Sequence, residues 1–222
     1  MSASPKPLLK NQQMLYLKML IFILAGIIIL AGLAGNLMSN VEQADYKLIR
    51  SEARIEIRDY PPMILAEVEV LGKRKEAIRE GFQKLANYIF GNNTSQKKMK
   101  MTAPVINESS EKMAMTAPVT QEQYLDRWKV RFVIPKKYSL ETVPKPNSKE
   151  VVLISLDARR FAVIRFSGFA NDQSIKKHIE ELKAYILVES LQPIGNPSLA
   201  FYNPPWTLPF LRRNEVMIEI SR

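Results

Sequence analysis

The apolar and polar positions divide the chain at about residue 41. Met19 to Val41 contains no charged residue, and Leu20 to Leu33 is apolar at nearly every position. A helix needs roughly 20 apolar residues to cross a bilayer core, so this stretch predicts a transmembrane helix over 19–41. No polar residue interrupts any face of the run Leu20 to Leu33, which argues against a buried core helix. Beyond it the pattern becomes periodic. Arg54-Ile55-Glu56-Ile57-Arg58 alternates as a half-buried strand does, and Ile64 to Val70 alternates again. Tyr60-Pro61-Pro62 between them predicts a turn, because proline fixes φ and lacks a ladder donor. A helix follows from about Lys73 to Phe90, with Ile78, Phe82, Leu85 and Ile89 on one apolar stripe and Gly91 placed to end it.

The same order recurs about 97 residues later. Val151–Leu156 and Phe161–Phe166 read as strands, and a helix runs from about Asp172 to Ser190 with Ile175, Ile179, Leu182 and Ile186 at the same spacing. Leu85-Ala86-Asn87-Tyr88-Ile89 and Leu182-Lys183-Ala184-Tyr185-Ile186 share a local word, so two matching units predict an internal duplication. A shorter repeat, Met99-Lys100-Met101-Thr102-Ala103-Pro104-Val105, returns as Met113-Ala114-Met115-Thr116-Ala117-Pro118-Val119. The polar residues between the copies predict a hairpin, with each proline at an edge or bulge. Tyr124–Ile134 and Val216–Ile220 add strands, and Lys136–Lys149 reads as the connection between halves. The expected class is α+β: duplicated βαββ-type units forming a curved sheet or partial barrel flanked by two helices, preceded by one transmembrane helix. The expected organisation is a basic tail over 1–18, an anchor over 19–41, a linker over 42–52 and one domain over 53–222.

Composition narrows the chemistry. Cysteine is absent, which removes disulfides, zinc–thiolate sites, iron–sulfur clusters and thiol nucleophiles. A single histidine, His178, makes an all-protein transition-metal cage an unsuitable expectation. Of the formal charge of +10, residues 1–45 carry only +1, so the remainder of the chain is basic and favours anionic partners. Lys6, Lys10 and Lys18 precede the apolar run while Glu42 and Asp45 follow it, which places the N-terminus in the cytoplasm and the domain across the membrane. The alternative is a cleaved signal peptide, since Gly32-Leu33-Ala34 is small enough for processing. Leu33-Ala34-Gly35 also looks like the start of a lipoprotein box, but Asn36 stands where the lipid-bearing cysteine would be.

Taken in order, several motifs resemble the SOUL haem-binding family. They are Glu56-Ile57-Arg58-Asp59-Tyr60, the doubled Met-Thr-Ala-Pro-Val, Trp128 to Pro135, Phe166-Ser167-Gly168, Phe201-Tyr202-Asn203-Pro204-Pro205-Trp206 and Arg212-Arg213-Asn214-Glu215-Val216. The resemblance spans about Tyr46 to Ile220. It implies binding of haem or another tetrapyrrole without catalysis, on a fold related to drug-sensing domains. It also implies a pocket between the first helix and the loop before the last strand. Carried over, the helix wall is Arg79, Phe82, Leu85, Ala86 and Ile89, and the loop wall includes Tyr202, Trp206, Leu208, Phe210 and Arg212. Flat apolar side chains and an arginine for a carboxylate are what a porphyrin requires. The bland reading of Phe82, Leu85 and Ile89 is core packing, and that of the Trp206 loop is a barrel cap or a segment at a lipid interface.

Some members of the family carry histidine where this chain has Asp59, a poor ligand for haem iron. His178, equivalent to Gly81 in the first unit, reads as a partly exposed surface residue. Met99, Met101, Met113 and Met115 alternate as one inward face of a strand does, so the expectation is haem held without strong axial ligation. There is no nucleophile elbow, phosphate loop or His-Glu-x-x-His motif. A hydrolase of lipophilic compounds is the competing enzyme class, with Glu56, Glu67, Glu215 and Tyr202 as its candidates, although Glu67 and Glu69 read as a solvated pair. A third class is an interaction protein at the membrane face, using Lys97, Lys98 and Lys100. No nucleic-acid-reading element is present, and the oligomeric state is left open.

Overall fold

In the computed structural model the described residues are 14–23, 26, 41–96 and 110–222. Residues 14–23 are helical (α1). No helix among the described residues is long and apolar enough to cross a membrane. Most of the 19–41 segment, the first Met-Thr-Ala-Pro-Val copy and Lys97, Lys98 and Lys100 lie outside the described residues.

The periodic segments form the expected elements with small shifts of their ends. The strands are β1 (Glu42–Gln43), β2 (Lys47–Glu52), β3 (Ile55–Tyr60), β4 (Met63–Leu71), β5 (Asn93–Thr94), β6 (Thr116–Ala117), β7 (Val119–Tyr124) and β8 (Arg127–Val133). After these come β9 (Lys145–Pro146), β10 (Val152–Leu156), β11 (Arg159–Phe166), β12 (Pro193–Phe201) and β13 (Asn214–Ile220). Helices α2 (Arg74–Ile89) and α3 (Asp172–Val188) follow β4 and β11. Asn171 caps α3 by accepting from the Ser174 amide at 2.8 Å.

Nine strands make one sheet in the order β10-β4-β8-β7-β12-β13-β11-β3-β2, all neighbours antiparallel. The two ends of this order are not paired with each other, so the sheet is open rather than a closed barrel. Around the central β7–β12 pair the order is two-fold: β4, β8 and β7 mirror β11, β13 and β12. The outer strands are exchanged, β3 pairing with β11 and β10 with β4. Pro61-Pro62 therefore carries the chain from one half of the sheet to the other and does not close a hairpin.

Two segments differ from the sequence expectation, and a repeat copy between them gains a partner. The presumed linker 42–52 contains β1, which runs parallel to β6, and β2, an edge strand on β3. The second Met-Thr-Ala-Pro-Val copy meets β1 through Thr116 and Ala117. β12 was not expected, because Pro193, Gly195 and Pro197 disfavour a ladder. A register shift between Ile194 and Ser198 takes Gly195 and Pro197 out of the pairing, and the strand then continues between β7 and β13.

Both helices lie on the same face. Ala66, Phe132, Val119, Phe201, Asn214 and Phe166 are cross-strand neighbours in one row, and the apolar members pack beneath α2 or α3. Under α2 the core contains Ala66, Val68, Val70, Leu85, Val130 and Phe132. Ile57, Ala162, Ile164, Leu182, Val216 and Ile218 fill the core under α3. The opposite face holds a smaller cluster with Tyr60, Val163, Ala200, Tyr202 and Met217, against which Val41 and Ala44 pack.

Candidate functional site

On α2 the chain's own geometry sorts the expected pocket wall. Successive residues turn by 100°, so Lys84 and Tyr88 fall on one flank and Phe82, Ala86 and Arg79 on the other. Lys84 bonds Glu150 at 2.6 Å and the Tyr88 hydroxyl donates to the Pro144 carbonyl at 2.7 Å, which fixes their flank toward β10. Phe82, Ala86 and Arg79 are consequently turned toward β7 and β12, the central strands between the parts of the sheet that α2 and α3 cover. Phe82 is 39% exposed and meets the buried Phe132 ring edge-on, with centroids 5.3 Å apart. Arg79, nearly one turn away, is exposed and has no hydrogen bond or ion pair among the described residues. Leu85 and Ile89 belong to the core beneath the helix and present no surface.

The floor of this strip is uneven. Val119 and Phe201 keep part of their surface open, whereas Gln121 and Leu199 are buried. The Gln121 Oε1 atom is buried without a hydrogen-bond partner, as is Thr207 Oγ1 in the loop that leaves β12. Buried polar atoms are nearly always paired, so these two are conspicuous.

The loop 202–213 distributes its expected wall residues differently. Trp206 and Phe210 are exposed and Leu208 is half-buried. Arg212 is tied to the loop itself, donating to the Thr207 carbonyl at 2.7 Å and the Pro205 carbonyl at 2.5 Å. Tyr202 faces away from the helices. Its hydroxyl donates to Glu215 at 2.9 Å within the cluster on the opposite face. No hydrogen bond or ring contact joins α2 to this loop among the described residues. Two concavities, of about 340 and 420 Å³, lie beside β1 and the Pro61 turn, lined by Glu42, Asp45, Tyr138 and Lys136 or by Tyr46, Asp59, Tyr60 and Arg222.

Sequence reasoning missed the charged network opposite the helices. Glu215 is buried and accepts from Arg58 at 2.8 and 3.0 Å and from Arg213 at 2.8 Å. Burial alone would raise the Glu215 carboxyl, but the Arg58 and Arg213 bonds and charges outweigh it and leave the group below its ordinary range. Burial pushes the Tyr60 phenol up to about 12, and it raises Tyr202 further. Tyr46 covers the Arg58 guanidinium at 4.3 Å, and Arg213 stands 3.8 Å from the Tyr202 ring centre. Glu56 also bonds Arg58, at 2.6 Å, and Glu67 is buried against Arg131 rather than solvated. The carboxylates that hydrolytic chemistry would call on thus all carry an arginine partner. The signal was alternation: Glu56, Arg58, Tyr60 and Glu215 occupy the strand positions out of phase with the apolar ones.

Met99 and Met101 lie outside the described residues, and the other candidates for iron ligation are engaged or packed within the domain. His178 is buried, not at the surface, and its ring stacks on Phe166 with centroids 4.0 Å apart and planes 12° apart. Its Nδ1 donates to the Ser174 carbonyl at 2.7 Å, which leaves Nε2 as acceptor toward Arg54 at 3.4 Å. Asp59 holds Arg160 through both oxygens at 2.7 and 2.9 Å, and that partner keeps its carboxyl below the usual range. Met113 is buried beside Ile89. Among the described residues no three acidic or histidine side chains gather as a metal site.

The fold is that of an α+β protein built on a two-fold repeated antiparallel sheet with both helices on one face. The C-terminal domain of EcmrR has a similar structure, with a TM-score of 0.54 at 7% identity over 80% of this chain and 98% of that one. A hydrolase from Listeria innocua gives 0.55 at 12% identity, over 78% and 94%. At those identities the likeness concerns the fold alone. The chain belongs to the SOUL heme-binding protein family, whose model matches residues 41–219. It is 26% identical over 186 residues to Heme-binding protein 1 of Xenopus laevis, covering 82% of this chain and 93% of the relative.

Proposed function

We propose that this protein binds haem or a related tetrapyrrole on the helix-bearing face, in the strip between α2 and the loop 202–213, while residues 19–41 tether it to a membrane. The observation that carries the reading is the pairing of an uncommitted cation with an exposed ring. Arg79 has no partner among the described residues, and Phe82 lies nearly one turn on along the same flank of α2. A porphyrin requires flat apolar contact and a partner for its propionates, and these two residues have the chemistry for both. Ala86, Trp206, Leu208 and Phe210 would add apolar contact, and the unpaired Gln121 Oε1 and Thr207 Oγ1 could accept bonds from a polar edge. Bound haem would supply its iron chemistry itself; this chain's contribution is to hold the ring and neutralise its carboxylates. His178 and Asp59 are committed to Ser174, Arg54 and Arg160, so the reading assigns neither as iron ligand. Arg212 is assigned to shaping the loop, since its guanidinium already holds two carbonyls.

Titration with haem, followed in the Soret band, tests the reading. Arg79→Ala combined with Phe82→Ala should weaken binding about tenfold or more, roughly the loss of one charge-assisted hydrogen bond and one ring contact. His178→Ala should leave the spectrum of the complex unchanged. An unaltered affinity in the double variant would remove the proposed strip as the binding site.

A further inference from the structure

We infer that a paired-loop apolar tip formed by Phe169, Trp206, Phe210 and Leu211 rests in the surface of a lipid bilayer. These four side chains are 64, 62, 67 and 43% exposed, an unusual concentration for one end of a folded domain. The tip is structured. The Gly168 amide donates to the Pro209 carbonyl at 2.8 Å, and Asn214 Nδ2 bonds the Gly168 carbonyl at 3.1 Å, so the loop before α3 is fastened to the loop before β13. Gly168 adopts a φ of +92°, which a side chain would oppose. Arg212 completes the unit. Its guanidinium holds the carbonyls on both sides of Trp206 and stands 5.4 Å from the Phe169 ring centre.

Two further observations select lipid as the occupant. Arg213 Nη1 bonds Gln43 Oε1 at 3.1 Å, which ties this end of the domain to the residues where the chain enters it. Gln43 stands two residues after Val41, the end of the charge-free stretch 19–41, and two extended residues reach at most about 7 Å. A bilayer occupied by that stretch therefore meets the domain beside the tip. Charge agrees through Arg212, which has no carboxylate partner among the described residues and stands beside Phe169; Arg74 and Arg213 nearby are already paired with Asp172 and Glu215. Aromatic rings with cations behind them suit the headgroup level, about 5–10 Å into the interface. The inference rests on the membrane reading of residues 19–41 for its direction; it shares Trp206 and Phe210 with the proposed haem strip, while Phe169 and Leu211 belong to the tip alone.

The chain has two tryptophans, so each can report alone. The full-length Trp128→Phe protein would be reconstituted into phosphatidylcholine vesicles brominated near the top of the acyl chains, with phosphatidylserine included. Trp206 emission should shift to the blue and be quenched about twofold at that depth. Trp128, half-buried against the α2 core, should be unaffected in the Trp206→Phe protein. Phe169→Ser with Leu211→Ser should abolish the quenching of Trp206 and leave haem titration unchanged. Protein that floats with the vesicles but shows unquenched Trp206 would overturn the docking and spare the tether. Protein that does not float would overturn both. Quenching that survives the double substitution would overturn the paired-loop assignment.

Discussion

The two faces of the sheet handle their side chains in opposite ways. On the helix-bearing face the packing is mostly apolar, and a ring, Phe82, and a cation, Arg79, stay open beside the central strands. On the other face no helix provides cover, yet Arg58, Glu215, Tyr60 and Tyr202 are buried, each bonded to another member of the set. The difference separates a surface that can receive a ligand from one whose polar groups are occupied with each other. A count of charges would have favoured the second face as the functional one. The proposed reading favours the first, because the Glu215 carboxylate is already held between two arginines.

The sharpest way to break this comparison is to disturb the occupied face. Glu215→Leu leaves the buried Arg213 without a counter-charge and Arg58 with Glu56 alone, and should cost about 3–5 kcal/mol of folding stability, read as a fall in the urea midpoint. If the faces are independent, the surviving folded fraction should still take up haem normally. On the helix-bearing face the tightest point is Gly81. A methyl there would stand 2.7 Å from Val130 Cγ2 and 3.2 Å from Val68 Cγ2. Gly81→Ala should therefore lose about 1–3 kcal/mol despite the better helix propensity of alanine, and adding Val130→Ala should recover part of that loss. A stabilised single variant would show that α2 does not sit this close to β8.

The smallest expected effect is a pH dependence to which the occupied face contributes Tyr60 and Tyr202 and the core under α2 contributes Tyr88, whose phenol burial also raises. The Tyr60 phenol, ordinarily near 10.0, is raised to about 12 by burial, and burial raises Tyr202 as well. These groups hold their protons more tightly when the chain is folded. Their contribution is thus complete below pH 10 and declines as the pH rises toward 12. Denaturation midpoints measured up to pH 12 should fall over this interval, and Tyr60→Phe should shallow the fall. A midpoint that is flat across that range would mean the phenols are not buried in this way.

Much of the architecture was legible from period alone. Both long helices, and the strands preceding them, follow from alternation and from 4-3-4 apolar spacing, because those patterns report which side of an element is buried and need no partner to be named. β12 was not legible, since Gly195 and Pro197 are breakers unless a bulge removes them from the ladder. His178 was misplaced for a related reason. The equivalence with Gly81 is real in sequence, but the same helical position is filled by a methyl of Val130 in one half and by the imidazole stacked on Phe166 in the other. Of the nominated pocket residues, Phe82, Arg79 and Ala86 share an open flank, while Leu85 and Ile89 are core and Tyr202 faces the other side.

By itself the sequence determined the family, the α+β class and the repeated strand and helix units. Each of these depends on the order and spacing of residues, which a linear chain contains in full. Only the tertiary structure decided that the first strands of the two units exchange partners, that Arg58 reaches Glu215 from 157 positions away, and that Gln43 is fastened to Arg213. Pairings of that kind are fixed by which strands become neighbours. Many strand orders would satisfy the same alternation, and the one adopted is settled by packing the whole sheet at once.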